Sequence, residues 1–459
     1  MVADPPAPAE SSTTAPARAV RADVLAAVAA LALVGLAAWV GFAWDLRLYG
    51  SEHFPGAPDT FGEWPILAEW LPHLGIGTPM AVVVAIAGVA WGPSLAARLP
   101  WRWALGAGYA LAVAWTFSLA LIDGWTRGVA TQLTSQDEYL AAVPGITDIP
   151  AMLDSFARRI LDYQPDSWIT HVAGHPPAIT VLFVWLDRIG LGGGAVAGVL
   201  CVLVGALVAV AVPATLAELG DRERARAALP FVALFPGAIW MGVSADALFA
   251  GVTASGMALL AFGATRSRWW ACLVGGVLLG YGVFLSYGLM LMGVVALGAV
   301  LAARSWKALA WALPGAVAVA LVFLAAGFWW VDGYHLVVER YYQGIATERP
   351  YGYWVWADLA SLVLVLGPAT AAGLRRATVS GFLRPWPSPT VAMVRAGVLA
   401  VIAADLSGLS KSEVERIWLP FAVWVVAACA LLPAKSHRWW LAAQAALALA
   451  VNHLFLTNW

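Results

Sequence analysis

Residues 131–185 read TQLTSQDEYLAAVPGITDIPAMLDSFARRILDYQPDSWITHVAGHPPAITVLFVW and form the longest polar interruption in an otherwise apolar chain. The stretch carries two adjacent acids, Asp137 and Glu138. It ends in His171, His175 and a Pro-Pro step that leads straight back into apolar residues. Polar groups beside lipid cost free energy, so an interruption of this kind usually has a function. We expect the rest of the chain to hold this segment as a loop at a membrane surface.

The composition predicts an integral membrane protein. Of the 459 residues, 61% are hydrophobic and 12% are charged, whereas an average soluble domain is about 25% charged. The 44 glycines and 26 tryptophans suit close helix packing and interfacial aromatic belts. The net charge of −1 gives no indication of nucleic acid binding. The three cysteines are too scattered for a metal site or a disulfide framework.

The apolar segments predict an all-α membrane protein. A transmembrane helix needs about 20 apolar residues, and somewhat shorter helices occur between polar ends. We predict thirteen spans, at residues 24–43, 76–97, 104–122, 192–216, 227–240, 247–264, 270–285, 289–303, 308–330, 354–374, 391–404, 417–432 and 439–456. The turn with Arg222, Arg224 and Arg226 should face the cytoplasm. The short apolar segment 177–191 must then lie on the outer surface as a juxtamembrane helix.

This topology gives the chain a simple organisation. Residues 1–22, rich in Pro, Ala, Ser and Thr, should form a disordered cytoplasmic tail. Residues 23–459 should form one multi-spanning domain in the cell membrane, with an outer loop at 123–191 and the C-terminus outside. Most of the 26 basic residues then lie inside and most of the 27 acids outside. Acids contribute little to orientation, so their concentration outside indicates chemistry or ion binding there.

Two acidic positions on the outer side are candidates for catalysis. Asp137 and Glu138, with the two histidines of the same loop, could supply a general base. The alternative is a solvated acidic loop. Asp246 lies at the start of a span, where it could contact substrate or simply cap the helix that follows.

The late outer loops carry arginines that run against the positive-inside trend. Arg340 and Arg349 lie in one loop, and Arg416 lies in another beside Glu413 and Glu415. An arginine near a membrane can bind a lipid phosphate through two parallel hydrogen bonds. The alternative is that each arginine pairs with a neighbouring glutamate. The acids and histidines are also hard or borderline metal ligands, although no fixed ligand spacing is met.

The order of these features resembles the GT-C superfamily of membrane glycosyltransferases, which use polyprenyl-phosphate sugar donors on the extracytoplasmic face. The resemblance rests on the loop acids, the segments GHPPAITVLFVWLDRIG and DRERARAALPFVALFPG, Asp246 and the late segment SKSEVERIWLPF. It covers residues 130–265 and about 405–425. It is of an actinobacterial type, distantly like protein mannosyltransferases and aminoarabinose transferases. The chain departs from most members in having three predicted spans before the loop instead of one.

The resemblance implies an inverting hexosyl- or pentosyltransferase with a mannose or arabinofuranose donor and an envelope glycan, lipid or protein acceptor. In this interpretation Asp137 takes the proton of the acceptor hydroxyl, with Glu138 as its rival, and Asp246 orients the acceptor or a metal such as Mg or Mn. The phosphate contacts are expected from His175, Arg340, Arg349 and Arg416. Other substrate contacts are expected from Tyr139, His171, Glu413 and Glu415.

Two other classes fit the composition. A transporter or lipid-linked-sugar flippase should show broken helices and ionisable groups near the middle of the bilayer, whereas the ionisable residues here lie mostly at the ends of the predicted spans. A non-catalytic scaffold for envelope assembly would leave the outer concentration of acids unexplained.

Overall fold

The structure of the protein, a computed structural model, describes residues 14–44, 46 and 65–458. This part is almost entirely helical, which confirms the all-α class. The helices of the first half are α1 (Thr14–Ala43), α2 (Gly77–Arg98), α3 (Trp101–Ala120), α4 (Tyr139–Ala142), α5 (Ile149–Ser155), α6 (Thr170–Ala173), α7 (Ala178–Arg188), α8 (Gly194–Gly205), α9 (Val208–Glu218), α10 (Arg222–Ala233) and α11 (Ala238–Met241).

The helices of the second half begin with α12 (Ala245–Arg266), and several of the others pack against it. The others are α13 (Trp269–Leu285), α14 (Met292–Ala303), α15 (Trp306–Ala325), α16 (Trp330–Gln343), α17 (Tyr351–Val379), α18 (Pro389–Ser407), α19 (Val414–Ile417), α20 (Leu419–Val426) and α21 (His437–Leu454). Helix α12 contacts α8, α9, α13, α14 and α20, and most of its residues are buried. It is therefore the central helix of the protein, and Asp246 lies in its first turn.

The predicted disordered tail is partly helical. Helix α1 begins at Thr14, so residues 14–22 belong to it. The buried Asp23 accepts hydrogen bonds from Arg375 Nη1 at 2.9 Å and from Arg376 Nε at 2.8 Å. These ion pairs fix the start of α1 against the end of α17. The remaining tail residues, 1–13, lie outside the described residues.

Eight described helices are long and apolar enough to cross a membrane, or nine if one bent pair counts as a single span. These properties describe a multi-pass membrane protein. The predicted number of thirteen spans is not confirmed. The eight correspond to the predicted spans at residues 24–43, 76–97, 104–122, 192–216, 247–264, 308–330, 354–374 and 391–404.

The other five predicted spans differ from long straight helices. The segment predicted at 227–240 is divided between α10, which ends at Ala233, and α11, which begins at Ala238. Pro236 lies in the break and disfavours helical backbone in the residue before it. The segments at 270–285 and 289–303 form shorter apolar helices. Those at 417–432 and 439–456 form a pair that meets at 111°. The short segment at 177–191 forms the 11-residue α7, and its place on the outer surface stays a prediction.

Polar contacts gather at the two ends of the helices. At one end the pairs are Asp23–Arg375, Glu218–Arg266 and the contact of Arg226 with the Leu99 carbonyl. At the other end they are His73–Asp123, Glu138–His171 and Asp246–Arg416. Helix α12 joins the two ends, since it runs from Asp246 to Arg266. We call the loop at 123–175 the organising loop, and we call the second end, where it lies, the loop end.

One small sheet, which the sequence did not predict, lies at the loop end. Strand β1 (Ala68–Trp70) pairs antiparallel with β2 (Phe455–Thr457). The ring of Trp70 packs edge-on against Phe455, with the ring centroids 5.0 Å apart. Arg127 Nη2 also donates to the Thr457 carbonyl at 2.7 Å. The end of the chain is thereby fastened beside the organising loop.

Candidate functional site

A buried arginine connects three distant parts of the sequence at the loop end. Arg416 donates from Nη1 to Asp246 Oδ2 at 3.0 Å and from Nη2 to Glu413 Oε2 at 2.7 Å. Its Nη2 is also 3.2 Å from His171 Nε2. The same imidazole nitrogen lies 3.4 Å from Glu138 Oε1. Five residues singled out from the sequence therefore form one cluster, which we call the Arg416 cluster.

The organising loop is folded so that its two ends meet. The backbone carbonyl of Asp137 accepts hydrogen bonds from the backbone N–H of His171 at 3.0 Å and from its ring Nδ1 at 2.9 Å. The carboxylate of Asp137 accepts a hydrogen bond from the Thr170 hydroxyl at 3.0 Å. These bonds hold the acid pair against the short helix α6 although more than 30 residues separate them in sequence.

Aromatic packing supports the same arrangement. The Tyr139 ring is buried between His171 and His175, with centroid distances of 5.8 and 5.5 Å, and also contacts Phe183. Burial, reinforced by the charges of Asp246 and Glu138, raises the pKa of Tyr139 well above its usual value. Tyr139 therefore supports the two imidazoles as a neutral phenol.

Each of the two histidines carries a proton on its Nδ1 atom. A carbonyl oxygen only accepts, so Nδ1 of His171 carries a proton toward Asp137, and Nδ1 of His175 carries one toward the His171 carbonyl at 2.9 Å. In its neutral form His171 then accepts from Arg416 through Nε2.

His175 is neutral in this environment. Burial lowers the pKa of His175 to about 4, although the nearby Asp246 acts in the opposite direction. Its Nδ1 proton is already donated, so its Nε2 can only accept a hydrogen bond. A neutral acceptor is poorly suited to contact a phosphate directly, which weakens the role expected for His175 from the sequence.

A second buried arginine lies beside the cluster. The Nη2 atom of Arg349 is 3.7 Å from Glu413 Oε1, and its Nη1 donates to the Lys411 carbonyl. Glu413 thus contacts both Arg349 and Arg416. Although burial acts in the opposite direction, Arg416 and Arg349 lower the pKa of the Glu413 carboxyl. Glu413 is therefore an ionised bridge between the two arginines.

The bridge requires an unusual backbone. Ser412 and Glu413 have φ angles of 68° and 61°, a left-handed conformation that costs about 1–2 kcal/mol for a residue other than glycine. The backbone N–H of Ser412 donates to Asp358 Oδ1 at 3.0 Å, which holds the turn in place. Strain of this kind is concentrated at functional sites.

Two predicted site residues lie apart from the Arg416 cluster. Arg340 pairs with Asp162 at 2.9 Å and contacts the Trp168 carbonyl. Glu415 is fully buried, and neither carboxyl oxygen has a hydrogen-bond partner within the described part of the chain. Burial, reinforced by the charge of Glu413, raises the pKa of Glu415 to about 7, although the charge of Arg416 acts to lower it. The surroundings of Arg340 and Glu415 depend on contacts with distant segments, which the neighbouring residues in the sequence do not reveal.

Asp358 is a buried acid near this turn that was not predicted as a site residue. This residue lies within α17, is 2% exposed, and accepts the hydrogen bond from Ser412 that shapes the bridge. An acid within a predicted membrane span is itself a signal of function. That signal was available from the sequence, since Asp358 is only four residues past the predicted start of its span at residue 354.

The cluster does not fit a site for Mg or Mn. Among the described residues, no three His, Cys, Asp or Glu side chains are grouped so that they could hold a metal ion. The guanidinium of Arg416 lies directly against Asp246 and Glu413. A site for a divalent metal needs several carboxylates directed at one point, whereas Asp246 and Glu413 are each directed at the guanidinium of Arg416.

Comparisons with known proteins give little further information. No family model matches the chain, and no curated protein matches it. A solved structure of an oligosaccharyltransferase from Archaeoglobus fulgidus, in complex with zinc and sulfate, is similar over 75% of this chain, with 16% sequence identity and a TM-score of 0.41. The similarity covers 53% of that protein, so the chain matches about half of its length.

Proposed function

We propose that the chain is a GT-C glycosyltransferase that moves a sugar from a polyprenyl-phosphate donor to an envelope glycan, lipid or protein acceptor on the extracytoplasmic face. One observation carries the proposal. The loop acid Glu138, the helix-start acid Asp246 and the late Arg416 come from three distant segments and meet at one end of the apolar helices. Acids for proton transfer and cations for a phosphate are the groups that such a transfer needs.

Asp137 is the base in this proposal. It is half-buried, its carboxylate accepts only the neutral hydroxyl of Thr170 among the bonds the structure records, and it forms no ion pair with a described residue. Glu138 is buried beside His171, and the charge of Arg416 acts on it. A half-buried carboxylate is more accessible to an acceptor hydroxyl than a buried carboxylate beside an imidazole. Asp137 is therefore better suited to accept a proton, and Glu138 is the rival.

The reaction is a single displacement with inversion. The acceptor oxygen attacks the anomeric carbon while Asp137 takes its proton, and the bond from that carbon to the phosphate oxygen breaks. The lipid phosphate leaves with the electron pair. Arg416 and Arg349 stabilise its negative charge, and such contacts matter most where charge develops in the transition state. Asp246 orients the acceptor and Arg416, while Tyr139, His171 and His175 hold the loop.

The surroundings of Arg349 suit a lipid-linked donor. Lys411 lies over the Tyr342 ring at 5.7 Å. Trp329, Tyr342 and Tyr351 are each about half exposed at this end of the helices. Exposed aromatic rings are typical of the level at which a protein meets lipid headgroups. A donor phosphate held by Arg349 and Arg416 would therefore have its lipid tail beside the membrane.

The proposal is tested by sugar transfer in membranes with radiolabelled polyprenyl-phosphate mannose and arabinose. We expect transfer by the wild type and a loss of about 100-fold or more in Asp137→Asn. Asp154→Asn is a matched control, because Asp154 is an exposed acid in the same loop with a surface ion pair to Arg158. It should retain full activity.

Other outcomes reassign the function or the base. If Asp137→Asn is active and Glu138→Gln is inactive at equal expression, the base is Glu138. If the wild type transfers sugar from neither donor, the glycosyltransferase proposal fails for these sugars and lipid transport becomes the function to test.

One feature favours the alternative of a transporter or flippase. Helix α17 is broken at Gly367, whose φ is 74°, before Pro368. However, Gln444 fills the break, since it accepts from the Ala369 N–H at 3.2 Å and donates to the Leu366 carbonyl at 2.7 Å. The glutamine side chain closes the break and satisfies its backbone groups, so the break gives the transporter little support.

A further inference from the structure

A second basic site lies at the end of the helices opposite the Arg416 cluster. We propose that Arg304, between Trp306 and Trp386, binds the phosphate of an anionic phospholipid headgroup. This site is separate from the proposed sugar transfer and does not depend on it.

The position of the site follows from the helices that form it. Helix α15 begins at Trp306 and leads to Gly327, which packs against Asp154 of the organising loop. Helix α18 begins after Trp386 and ends at Ser407, shortly before the strained turn that holds Glu413. Both helices therefore start at the far end and finish at the loop end.

A cavity of about 350 Å³ opens at this point. It is lined by Val300, Leu301, Arg304, Trp306 and Trp386. The guanidinium carbon of Arg304 lies 5.7 Å from the centre of the Trp386 ring. Trp306 and Trp386 are 61% and 67% exposed. Exposed tryptophans are enriched where a protein meets lipid headgroups, so the cavity has the position and the lining of a headgroup site.

Arg304 is free to bind an anion. It forms no ion pair or hydrogen bond through its side chain within the part of the chain that the structure describes. Residues 267–331 and 359–404, which supply both walls of the cavity, contain no Asp or Glu at all. An unneutralised guanidinium can hold a phosphate through two parallel N–H donors. The aromatic rings beside it can pack on the glycerol and upper acyl carbons.

The backbone of Arg304 has a conformation in which glycine is the usual residue. Arg304 ends α14 with φ 53° and ψ 36°. The N–H of Arg304 bonds to the Leu301 carbonyl and that of Ser305 to the Val300 carbonyl. This is the helix-ending arrangement in which glycine is normally found, because the left-handed conformation crowds a side chain. Glycine would be less strained at this position, so the backbone does not account for the arginine, whereas binding of an anion does.

That strain provides a sharp test. Arg304→Gly removes the charge and suits the backbone, so the variant should fold and melt at the same temperature as the wild type or higher. Ser267→Gly is the matched backbone control, since Ser267 ends α12 with the same φ of 53°. Arg268→Gln is the matched charge control, because Arg268 is an exposed arginine at the same end.

Binding is measured by native mass spectrometry of the purified full chain in detergent, with phosphatidylglycerol or phosphatidylcholine added. We expect the wild type to prefer phosphatidylglycerol. Arg304→Gly should weaken phosphatidylglycerol binding about fivefold and leave phosphatidylcholine binding unchanged. Both controls should behave like the wild type.

Three results would overturn the proposal. The first is equal binding of the two lipids by the wild type. The second is an equal loss in Arg268→Gln and Arg304→Gly, which would indicate a general surface charge effect. The third is displacement of phosphatidylglycerol by the same concentration of inorganic phosphate, which would indicate a site for a free anion.

Discussion

Arg349 and Lys411 hold each other in a reciprocal arrangement. The guanidinium of Arg349 donates to the backbone carbonyl of Lys411, and the ammonium of Lys411 donates to the backbone carbonyl of Arg349 at 2.8 Å. Both side chains are buried, at 4% and 7% exposure. Two loops that are 62 residues apart are thereby locked together, and this lock sets the position of Glu413 between the two arginines.

We expect Lys411→Met to loosen this lock. The Lys411 ammonium also donates to the Ala346 carbonyl, so its removal leaves two buried acceptors without their donor. Such a loss costs about 1–3 kcal/mol. Thermal unfolding in detergent should show a lower melting temperature and sugar transfer should fall, whereas Lys435→Met, which changes an exposed lysine, should change neither. Unchanged stability would show that the lock does not order the loops.

Arg416→Lys should separate charge from geometry in the cluster. Lysine retains the positive charge beside Asp246 and Glu413, but it cannot make the forked contacts of a guanidinium. We expect the protein to fold and transfer to fall by about 100-fold, as for other losses of charge stabilisation in a transition state. Arg438→Lys, which changes an arginine bonded to Ser94, is the control. Full activity in Arg416→Lys would exclude a specific guanidinium role.

Glu415 should make stability depend on pH in the neutral range. Its pKa is about 7 in the folded protein and 4.5 is the ordinary value, so the folded state retains the proton more strongly. The resulting stability is fully present below pH 4.5 and is lost as the pH rises through 7. The difference corresponds to about 3 kcal/mol. Glu415→Gln should raise the melting temperature at pH 8 and leave it nearly unchanged at pH 4.5.

One result would contradict the prediction for Glu415→Gln. If the melting temperatures of wild type and variant differ by the same amount at pH 4.5 and pH 8, the carboxyl does not titrate in this range. Glu339→Gln, which changes an exposed acid, supplies the baseline for the assay.

His175 should make the folded protein less stable at acid pH, which is opposite to the effect of Glu415. Its pKa falls from 6.5 to about 4 on folding, so the unfolded chain binds the proton more strongly. The stability that follows is present above pH 6.5 and is lost as the pH falls toward 4. In His175→Asn the amide nitrogen can replace the Nδ1 donor, and the melting temperature should fall less between pH 6.5 and pH 5 than in the wild type. His335→Asn, at an exposed position, should follow the wild type.

Much of the fold could be predicted because it depends on local composition. Eight predicted spans correspond to long apolar helices, since about 20 apolar residues in a row leave few alternatives to a membrane helix. The predicted spans that are not confirmed are those inferred from shorter or interrupted apolar segments. Helix α10 stops at Ala233 before Pro236, and the pair near residues 417–456 bends by 111°. The first break has a local cause in Pro236, whereas the angle of the second depends on how neighbouring helices pack.

The candidate site could be predicted by residue type but only in part by role. Glu138 and Asp246 were predicted as catalytic acids and Arg416 as a phosphate ligand, and the structure places all three in the Arg416 cluster. Arg340 instead pairs with Asp162, a residue of the organising loop. The sequence offered a neighbouring glutamate as its partner, because pairing across the fold cannot be read from spacing along the chain.

The sequence by itself determined that this is a multi-spanning helical protein and that acids, histidines and arginines gather in a few polar segments. Those properties follow from the hydrophobicity of each segment, which does not depend on its neighbours. Only the tertiary structure decided that Glu413 bridges Arg349 and Arg416, that His175 is neutral and that Glu415 is fully buried. Charge states and partners depend on burial and on contacts between distant segments, and both exist only once the helices have packed.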